Sequence, residues 1–360
     1  MAEGVVIRHL GRSQVLQMMR SREGFSAYEY ILFSLATLAV MIMCVCLGSV
    51  TIPVWDTITA IWRTSFGLPV PAGISQSIIV SVRLPRVLCV ALVGASLSLC
   101  GAAMQGLLRN PLADGSTLGV SSGASLGAVI AIAFGISIPS LSFAGPMVMA
   151  MLFAFLSLIL ILALTYRLDQ TLSTHTIILM GVIFTMFTHS IISVIIAFSG
   201  EKIRSIVFWT MGSLAGSSYT SAIILMAALF VCGAILFSFA IELNAFSISE
   251  DNARHVGVAV KKVKLTVLIS VSALIGVCVS IGGTIGFVGL VIPHMTRMVF
   301  GPNHRRLLPA SLFSGAIFLM LVDLVGRTIL SPRELPIGVV TSFIGSIVFV
   351  YIFYKSRKMK

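Results

Sequence analysis

Long apolar runs without a single charged residue follow one another along the chain. They cover residues 30–55, 87–108, 115–166, 170–200, 205–241, 265–296, 307–322 and 335–354. A helix that spans a bilayer needs about 20 apolar residues, so most runs hold one span and the longest hold two. The pattern predicts ten membrane helices, near residues 30–50, 83–107, 113–135, 143–166, 175–198, 220–241, 263–282, 284–300, 308–328 and 336–354.

The composition supports this fold class. Hydrophobic residues make up 58% of the 360 residues and charged residues only 10%, whereas a soluble domain carries about 25% charged residues. A soluble fold is therefore excluded, and we expect an all-α polytopic membrane protein. Residues 1–29 are predicted to form a basic cytoplasmic extension, and residues 30–360 to form the transmembrane domain.

The distribution of positive charge predicts the orientation. With the N-terminus inside, seventeen of the 24 lysines and arginines fall on one side of the membrane. The other side holds Arg63, Arg83, Arg86, Lys202, Arg204, Arg327 and Arg333. The positive-inside rule then places both termini in the cytoplasm. The net charge of +12 reflects orientation in the lipid bilayer, and we expect no nucleic-acid partner.

Three segments between the spans have patterns of their own. Residues 54–66 favour a short helix on the outer side, and residues 205–216 are too short to span and favour a re-entrant or interfacial half-helix. In the loop 242–264, Ser249 is predicted to cap a helix over 250–256, and Gly257 to end it. This loop is either a docking surface for a cytoplasmic partner or a plain connection.

The sequence carries no pattern typical of catalysis or of metal binding. A phosphate-binding G-x-x-x-x-G-K-[ST] loop and the H-E-x-x-H and G-x-S-x-G motifs do not occur in it, and its six cysteines form no C-x-x-C pair. His294 has no nearby second ligand, so we interpret it as a structural residue that caps backbone near the cytoplasmic surface. We expect no metal, no cofactor and no enzymatic activity.

Small residues recur at helical spacing in two places. Gly115, Gly119, Gly123 and Gly127 lie four residues apart, which predicts a smooth groove along one helix face. Tight helix packing is the favoured interpretation, and lining a translocation path is compatible with it. Gly286 and Gly289 likewise predict close packing of the span 284–300, which Pro293 is expected to end or kink.

Three arginines lie at the predicted outer boundary. Arg83 and Arg86 precede a span, and Arg327 follows Asp323 by four residues, which places Asp323 and Arg327 on one helix face as a potential ion pair. Snorkelling with an internal ion pair explains such residues. Their grouping on the outside of a positive-inside protein favours a docking face for an acidic partner.

At this point several motifs, in order and spacing, resemble one family. They are RLPR from Arg83, GAAMQGLLRNPLADGSTLGVSSGA from Gly101, LMG from Leu179, WTMGSL from Trp209, LNAFSISEDNARHVGV from Leu243, GFVGLVIPHMTR from Gly286, HRRLLP from His304 and ELPIGVVTSFIG from Glu334. The chain resembles the FecCD-type permeases, membrane subunits of importers driven by ATP-binding cassette subunits. It departs from the family at Gly115, usually proline, and at Ser249, usually glycine.

The resemblance implies a bundle of about ten helices in a bacterial plasma membrane. It also implies a second permease subunit, identical or homologous, two ATP-binding cassette subunits on the cytoplasmic side and an extracytoplasmic substrate-binding protein. By position it implies that Arg83, Arg86 and Arg327 dock the binding protein and that Asn110, Leu112, Ser173 and Thr174 lie near the cytoplasmic gates. The residues that would couple to the ATPase subunit are Leu243, Asn244, Ser249, Glu250, Ala253, Val256 and Gly257.

The leading hypothesis from the sequence is the permease of a ferric-siderophore importer. A haem or cobalamin importer of the same family stays open. From another class, a stand-alone secondary transporter is the alternative, but few acidic residues lie within the spans to couple transport to protons or sodium. An intramembrane enzyme lacks any plausible catalytic constellation.

Overall fold

The computed structural model describes residues 24–48, 53–65, 78–137 and 144–358. Most of them are helical. The α-helices, in chain order, are α1 (Ala27–Cys46), α2 (Val54–Ser65), α3 (Leu84–Leu107), α4 (Val120–Phe134), α5 (Ala144–Leu168), α6 (Thr174–Phe198), α7 (Ile203–Thr210), α8 (Tyr219–Ser238), α9 (Ala240–Ile248), α10 (Glu250–His255), α11 (Val260–Gly282), α12 (Val288–Phe300), α13 (His304–Thr328) and α14 (Ile337–Lys358).

The predicted polytopic helical fold is confirmed. Seven helices of the described residues are long and apolar enough to cross a membrane, and shorter apolar helices cover Val120–Phe134, Val288–Phe300 and Ile337–Ile352. Together these ten correspond to the ten predicted spans. The predicted extension 1–29 lies outside the described residues as far as residue 23.

Two spans are shorter than predicted because the backbone leaves the helical region. Gly119, with φ of 73°, separates α4 from a 3₁₀ turn over Gly115–Leu118. Phe287, with φ of 67°, similarly delays the start of α12. A left-handed residue cannot continue a right-handed helix, so both spans lose their first turns.

The centre of the bundle is the antiparallel pair α3 and α13. An added Cβ on Gly94 would overlap the Gly315 carbonyl oxygen, and one on Gly315 would overlap that of Gly94. The two backbones therefore touch where the helices cross, which only glycine permits. Helix α3 is the most buried long span and α11 follows it, whereas α1, α5, α6 and α8 lie at the periphery.

The α3–α13 pair also defines the two ends of the molecule. At one end Arg86 of α3 meets Asp323 of α13; we call this the arginine end. At the other, Gly106 lies against the His304 ring, beside helices α9 and α10; we call this the α10 end. Helix α3 has 24 residues and therefore separates the two ends by about 36 Å.

The short helices predicted between the spans are present. Helix α2 covers Val54–Ser65, and α7 covers Ile203–Thr210. After α7 the chain turns at Gly212, whose φ is 73°, and Ser213 N–H donates to the Gly282 carbonyl at 2.8 Å. The irregular backbone at this point is thus satisfied by α11.

Candidate functional site

The arginine end is organised by one carboxylate shared between two arginines. Arg86 donates from Nε and Nη2 to Asp323 Oδ1, at 3.1 and 2.9 Å. Arg327 Nε lies 2.9 Å from Asp323 Oδ2 and forms the predicted ion pair within α13. Arg86 also pairs with Glu334 at 2.7 Å. The network joins α3, α13 and the segment before α14.

At the arginine end, two arginines also donate hydrogen bonds to the last carbonyl groups of α1. Arg83 donates to the Val45 and Cys46 carbonyls at 2.9 and 3.1 Å, and Arg327 Nη2 donates to the Cys44 carbonyl at 3.0 Å. The final carbonyls of a helix lack partners within it and carry partial negative charge, so arginine is well suited to this position.

These contacts qualify the docking prediction for Arg83, Arg86 and Arg327. All three residues are only 5–7% exposed, and their guanidinium groups contact carboxylates and carbonyls of this chain. Internal pairing, the alternative interpretation, therefore describes what the three residues do within the subunit. Direct contact with an acidic partner stays a prediction.

At the α10 end, Ser249 and Gly257 bound α10 as predicted. The Ser249 side chain accepts from Asn252 N–H at 2.9 Å. At the other end, Gly257 adopts φ of 88° and Val258 N–H returns to the Ala253 carbonyl at 2.9 Å, which is the Schellman pattern. The preceding α9 is nine residues long.

The predicted coupling residues divide into buried and exposed sets. Leu243 and Ala253 are fully buried and hold α9 and α10 against the bundle, whereas Val256 is exposed. Asn244 Oδ1 accepts from the backbone N–H of His304 at 2.7 Å, and its Nδ2 donates to Asn303 Oδ1 at 2.9 Å. Asn244 thereby ties α9 to the start of α13.

Glu250 forms an ion pair with Lys264, a residue that the sequence reasoning missed. Lys264 of α11 is 0% exposed, and its ammonium donates to Glu250 Oε2 at 2.7 Å and to the Leu172 carbonyl at 2.9 Å. A signal was available, because positions 260, 264, 267 and 271 form one helical stripe and the other three are valine. A lysine on an apolar stripe is typical of a buried, paired cation.

The predicted gate residues lie in two loops at the α10 end. Asn110 Oδ1 accepts from Leu112 N–H at 2.9 Å in the turn after α3. Ser173 caps α6 by accepting from Thr176 N–H at 3.4 Å, and Thr174 is the first residue of that helix.

Asp169, another residue that the sequence reasoning missed, stabilises the loop before α6, which contains the predicted gate residue Ser173. Its carboxylate accepts from the backbone N–H groups of Thr171 and Ser173 at 2.9 and 3.0 Å. Hydrogen bonding from Ser173 and Thr171 lowers the pKa of Asp169 well below its ordinary value. The carboxylate is therefore charged at neutral pH, and the brace is lost only as the pH falls through that lowered pKa.

A cavity of about 640 Å³ lies between α4, α6, α7, α11, α12 and α14. Its lining includes the hydroxyl residues Ser121, Ser122, Ser125, Thr185, Thr284 and Ser342. Asp114 and His189 are the ionisable residues of the lining within the described chain, and no lysine or arginine is among them. None of the four predicted gate residues lines it. The cavity can hold a small molecule through weak polar and apolar contacts.

The glycine row is divided, contrary to the expectation of one continuous helix face. Gly123 and Gly127 lie in α4, where added Cβ atoms would overlap Ser157 and Met149 of α5. Gly119 is left-handed and Gly115 belongs to the preceding 3₁₀ turn, so these two lie off that face. Gly115 lines the cavity.

Gly286 and Gly289 also differ from each other. An added Cβ on Gly289 would come within 2.8 Å of the Leu97 carbonyl oxygen, so α12 approaches α3 closely there. An added Cβ on Gly286 would find its nearest neighbour at 3.9 Å. The prediction of close packing is wrong for Gly286, because it precedes α12 and borders the cavity.

Pro293 does not end the span, because α12 continues to Phe300. Proline has no N–H, so the carbonyl of Gly289, four residues earlier, loses its helical donor. The Gln105 side-chain amide of α3 approaches this gap, at 3.5 Å from the Gly289 oxygen and 3.1 Å from that of Leu290. Gln105 is a third residue that the sequence reasoning missed.

His294 follows Pro293, and its buried Nδ1 has no hydrogen-bond partner within the described chain. His294 was expected to cap backbone, and no such bond is observed at Nδ1. The described residues contain no group of three or more His, Cys, Asp or Glu that could hold a metal ion.

Comparison with known proteins identifies the family of this chain. The model of the FecCD transport family matches residues 36–355. The chain belongs to the FecCD transport family. It is accordingly a multi-pass membrane permease subunit of an ABC importer, a class of subunit that is not itself an enzyme.

Relatives in the FecCD family are similar over most of their length. An uncharacterised ABC transporter permease of Bacillus subtilis, YvrB, is 41% identical over 94% of this chain and 97% of its own. The molybdate import permease MolB of Haemophilus influenzae is 36% identical over 92% and 97%. An iron chelatin transport permease of Helicobacter pylori is 39% identical over 78% and 83%.

A solved structure shows the same fold. It is described as an inward-facing conformation of a metal-chelate type ABC transporter, and it superposes with a TM-score of 0.79 at 33% identity. The match covers 90% of this chain and 98% of that chain.

Proposed function

We propose that this permease translocates a ferric-siderophore complex delivered by an extracytoplasmic binding protein. The observation that carries the proposal is the cavity beside α6. Its hydroxyl and apolar lining, without lysine or arginine in the described residues, can contact a bulky chelate at many points without holding it tightly. A translocation path must release its substrate, and weak contacts allow that release.

The lining also argues for a chelate over a small anion. Molybdate, named for the relative MolB, is a dianion that favours cationic groups or convergent N–H donors. Here Asp114 places a carboxylate in the lining. The iron chelatin name of the Helicobacter pylori relative fits the proposal. Haem and cobalamin are the alternatives within the family.

We further propose that the predicted gates close the cavity at the α10 end, which faces the cytoplasm together with both termini. The Asn110–Leu112 turn leads into Asp114 and Gly115 of the lining, and Ser173 and Thr174 begin α6, which carries Thr185 and His189 of the lining. A shift of either loop therefore displaces residues that border the cavity.

The α9–α10 surface is proposed to seat the ATP-binding cassette subunit. Ile248 and Val256 are each 72% exposed at this surface, and they present apolar contacts next to the buried anchors Leu243 and Ala253. A second permease subunit completes the path, and one ATPase subunit seats on each permease.

The stand-alone secondary transporter is less well supported. Asp323 is the buried acid of the described spans, and it is occupied by Arg86 and Arg327. A carboxylate neutralised by two fixed cations is a poor proton carrier.

The substrate is tested by competition for uptake. Proteoliposomes with the permease, its ATPase partner and the binding protein are offered radioiron bound to a hydroxamate siderophore. Excess unlabelled ferric siderophore is expected to abolish accumulation, while haemin, cyanocobalamin and molybdate leave it unchanged. Absence of radioiron accumulation, with accumulation of labelled cobalamin, haemin or molybdate in the same vesicles, assigns the importer to that substrate and rejects the siderophore.

Docking of the binding protein at the arginine end is tested separately. Arg83→Gln keeps a donor for the α1 carbonyls but removes the charge, and Arg333→Gln removes an exposed charge nearby as the control. If Arg83 pairs with an acidic partner, only the first variant weakens binding-protein affinity at unchanged thermal stability. Equal affinity in both variants and the wild type would remove Arg83 from the docking face.

A further inference from the structure

Lys264 connects the α10 surface to the start of α6. Its ammonium lies between Glu250, the first residue of α10, and the Leu172 carbonyl, two residues before α6. We propose that Lys264 is a positioning residue that transmits displacement of α10 to the gate loop; this inference rests on the proposed function.

The burial of Lys264 makes the connection stiff. The side chain is 0% exposed, so no water replaces an acceptor that moves away. A buried ammonium without acceptors is strongly disfavoured. The carboxylate of Glu250 and the carbonyl of Leu172 are therefore constrained to move together with the lysine.

On the side of the proposed gate, Lys264 donates to the rigid loop of residues 169–173. Leu172 is buried and adopts φ of 53°, a left-handed conformation that is strained for leucine. The Asp169 carboxylate accepts from Thr171 and Ser173 on either side of it. A pull on the Leu172 carbonyl thus displaces the whole turn and, through the Ser173 cap, the first turn of α6.

On the α10 side, Glu250 is equally well fixed. Ser249 caps the helix at this point, and Arg254 pairs with the other carboxylate oxygen of Glu250 at 3.2 Å. Ala253 is the buried residue of α10. The Glu250–Lys264 pair is therefore a polar attachment of α10 to α11, and Val256, where the ATPase subunit is proposed to seat, is exposed at the other end of the same short helix.

The test compares three variants in the complete complex, reconstituted with its ATPase subunit and binding protein. Lys264→Met removes the ammonium and keeps the chain length, while Glu250 stays paired with Arg254. Lys264→Arg retains donors for both acceptors. Lys262→Met removes an exposed lysine of the same helix and serves as the matched control.

ATP hydrolysis and uptake are measured in the same vesicles. The probe is the radioiron–hydroxamate complex, or labelled cyanocobalamin where the wild type accumulates that instead. We expect Lys264→Met to hydrolyse ATP within about twofold of the wild type and to lose at least about tenfold in substrate moved per ATP, since α10 still binds its partner but no longer moves the loop. Lys264→Arg recovers most of the loss, and Lys262→Met behaves as the wild type.

Two results overturn the inference. Unchanged transport per ATP in Lys264→Met shows that the loop moves without the lysine. Hydrolysis and uptake that fall in equal proportion show that Lys264 only supports the fold. A wild-type complex that accumulates neither probe contradicts the proposed function instead, and so the two failures are distinguishable.

Discussion

Arg86 and Asp323 lie 237 residues apart in the sequence and are joined by two hydrogen bonds, of 2.9 and 3.1 Å. The pair connects the start of α3 to the end of α13 where both are buried. Asp323 also neutralises Arg327. One carboxylate thereby balances two cations at the arginine end of the bundle.

Replacing Asp323 with asparagine is expected to destabilise the permease by about 3–5 kcal/mol, because the buried Arg327 loses its counter-ion and Arg86 keeps only the half-exposed Glu334. Thermal unfolding of the detergent-solubilised protein measures the loss. Glu334→Gln is the control, since this second partner of Arg86 is 45% exposed and such a pair contributes only about 0–1 kcal/mol. Equal losses of stability in the two variants would show that the buried Asp323 pairs contribute no more than the half-exposed Glu334 pair.

The arginine end illustrates how far sequence reasoning extends. The pairing of Asp323 with Arg327 was predicted correctly, because four residues along one helix fix which side chains meet. The bonds to Arg86 and to the α1 carbonyls depend on how three helices pack, and no local spacing determines that. The ten spans were predictable because the length of an apolar run alone decides them.

The close contact between Gly94 of α3 and Gly315 of α13 leads to a second prediction. Gly94→Ala is expected to force the helices apart at the Gly315 carbonyl and to cost about 1–3 kcal/mol. In Gly233→Ala of α8, the new Cβ finds only Leu99 and Leu229 at 3.5 and 3.6 Å, and alanine favours the helix by about 0.5–1 kcal/mol. Unfolding midpoints should fall for the first variant and hold or rise for the second; a fall of the same size in both contradicts a special contact at Gly94.

Gln105 and Pro293 are expected to be coupled. Gln105→Leu removes the donor near the Gly289 carbonyl that the proline leaves open, at a cost of about 1–3 kcal/mol. In a Pro293→Ala background, the new backbone N–H satisfies the Gly289 carbonyl, so the same change should cost less. A double-mutant cycle on unfolding free energy reads the difference, and strict additivity would disprove the link.

Val256 provides a test of the α10 surface. Because the side chain is 72% exposed, Val256→Asp is expected to leave the fold intact while it prevents co-purification of the ATPase subunit, since a charge is placed in an apolar contact. Val256→Thr has the same shape without the charge and should retain the partner. Normal co-purification of the aspartate variant would locate the ATPase elsewhere.

Several functional details lay beyond the sequence for physical reasons. The four-residue glycine row predicted one helix face, but the left-handed Gly119 divides it, and backbone conformation at a glycine leaves no trace in spacing. Phe287 is left-handed without being glycine, which no residue-type rule anticipates. The helical stripe of positions 260, 264, 267 and 271 indicates that Lys264 is buried, but its acceptor at the Leu172 carbonyl lies 92 residues away and could not be predicted from spacing.

The central claim is that ATP hydrolysis on the α10 side drives uptake from the arginine side. The most direct measurement places the complex in proteoliposomes with ATP enclosed and with the loaded binding protein outside. The account predicts accumulation of labelled substrate that requires both enclosed ATP and the binding protein, and that is lost with a catalytically dead ATPase subunit. Accumulation by this chain alone, driven by a proton or sodium gradient without ATP, would contradict it.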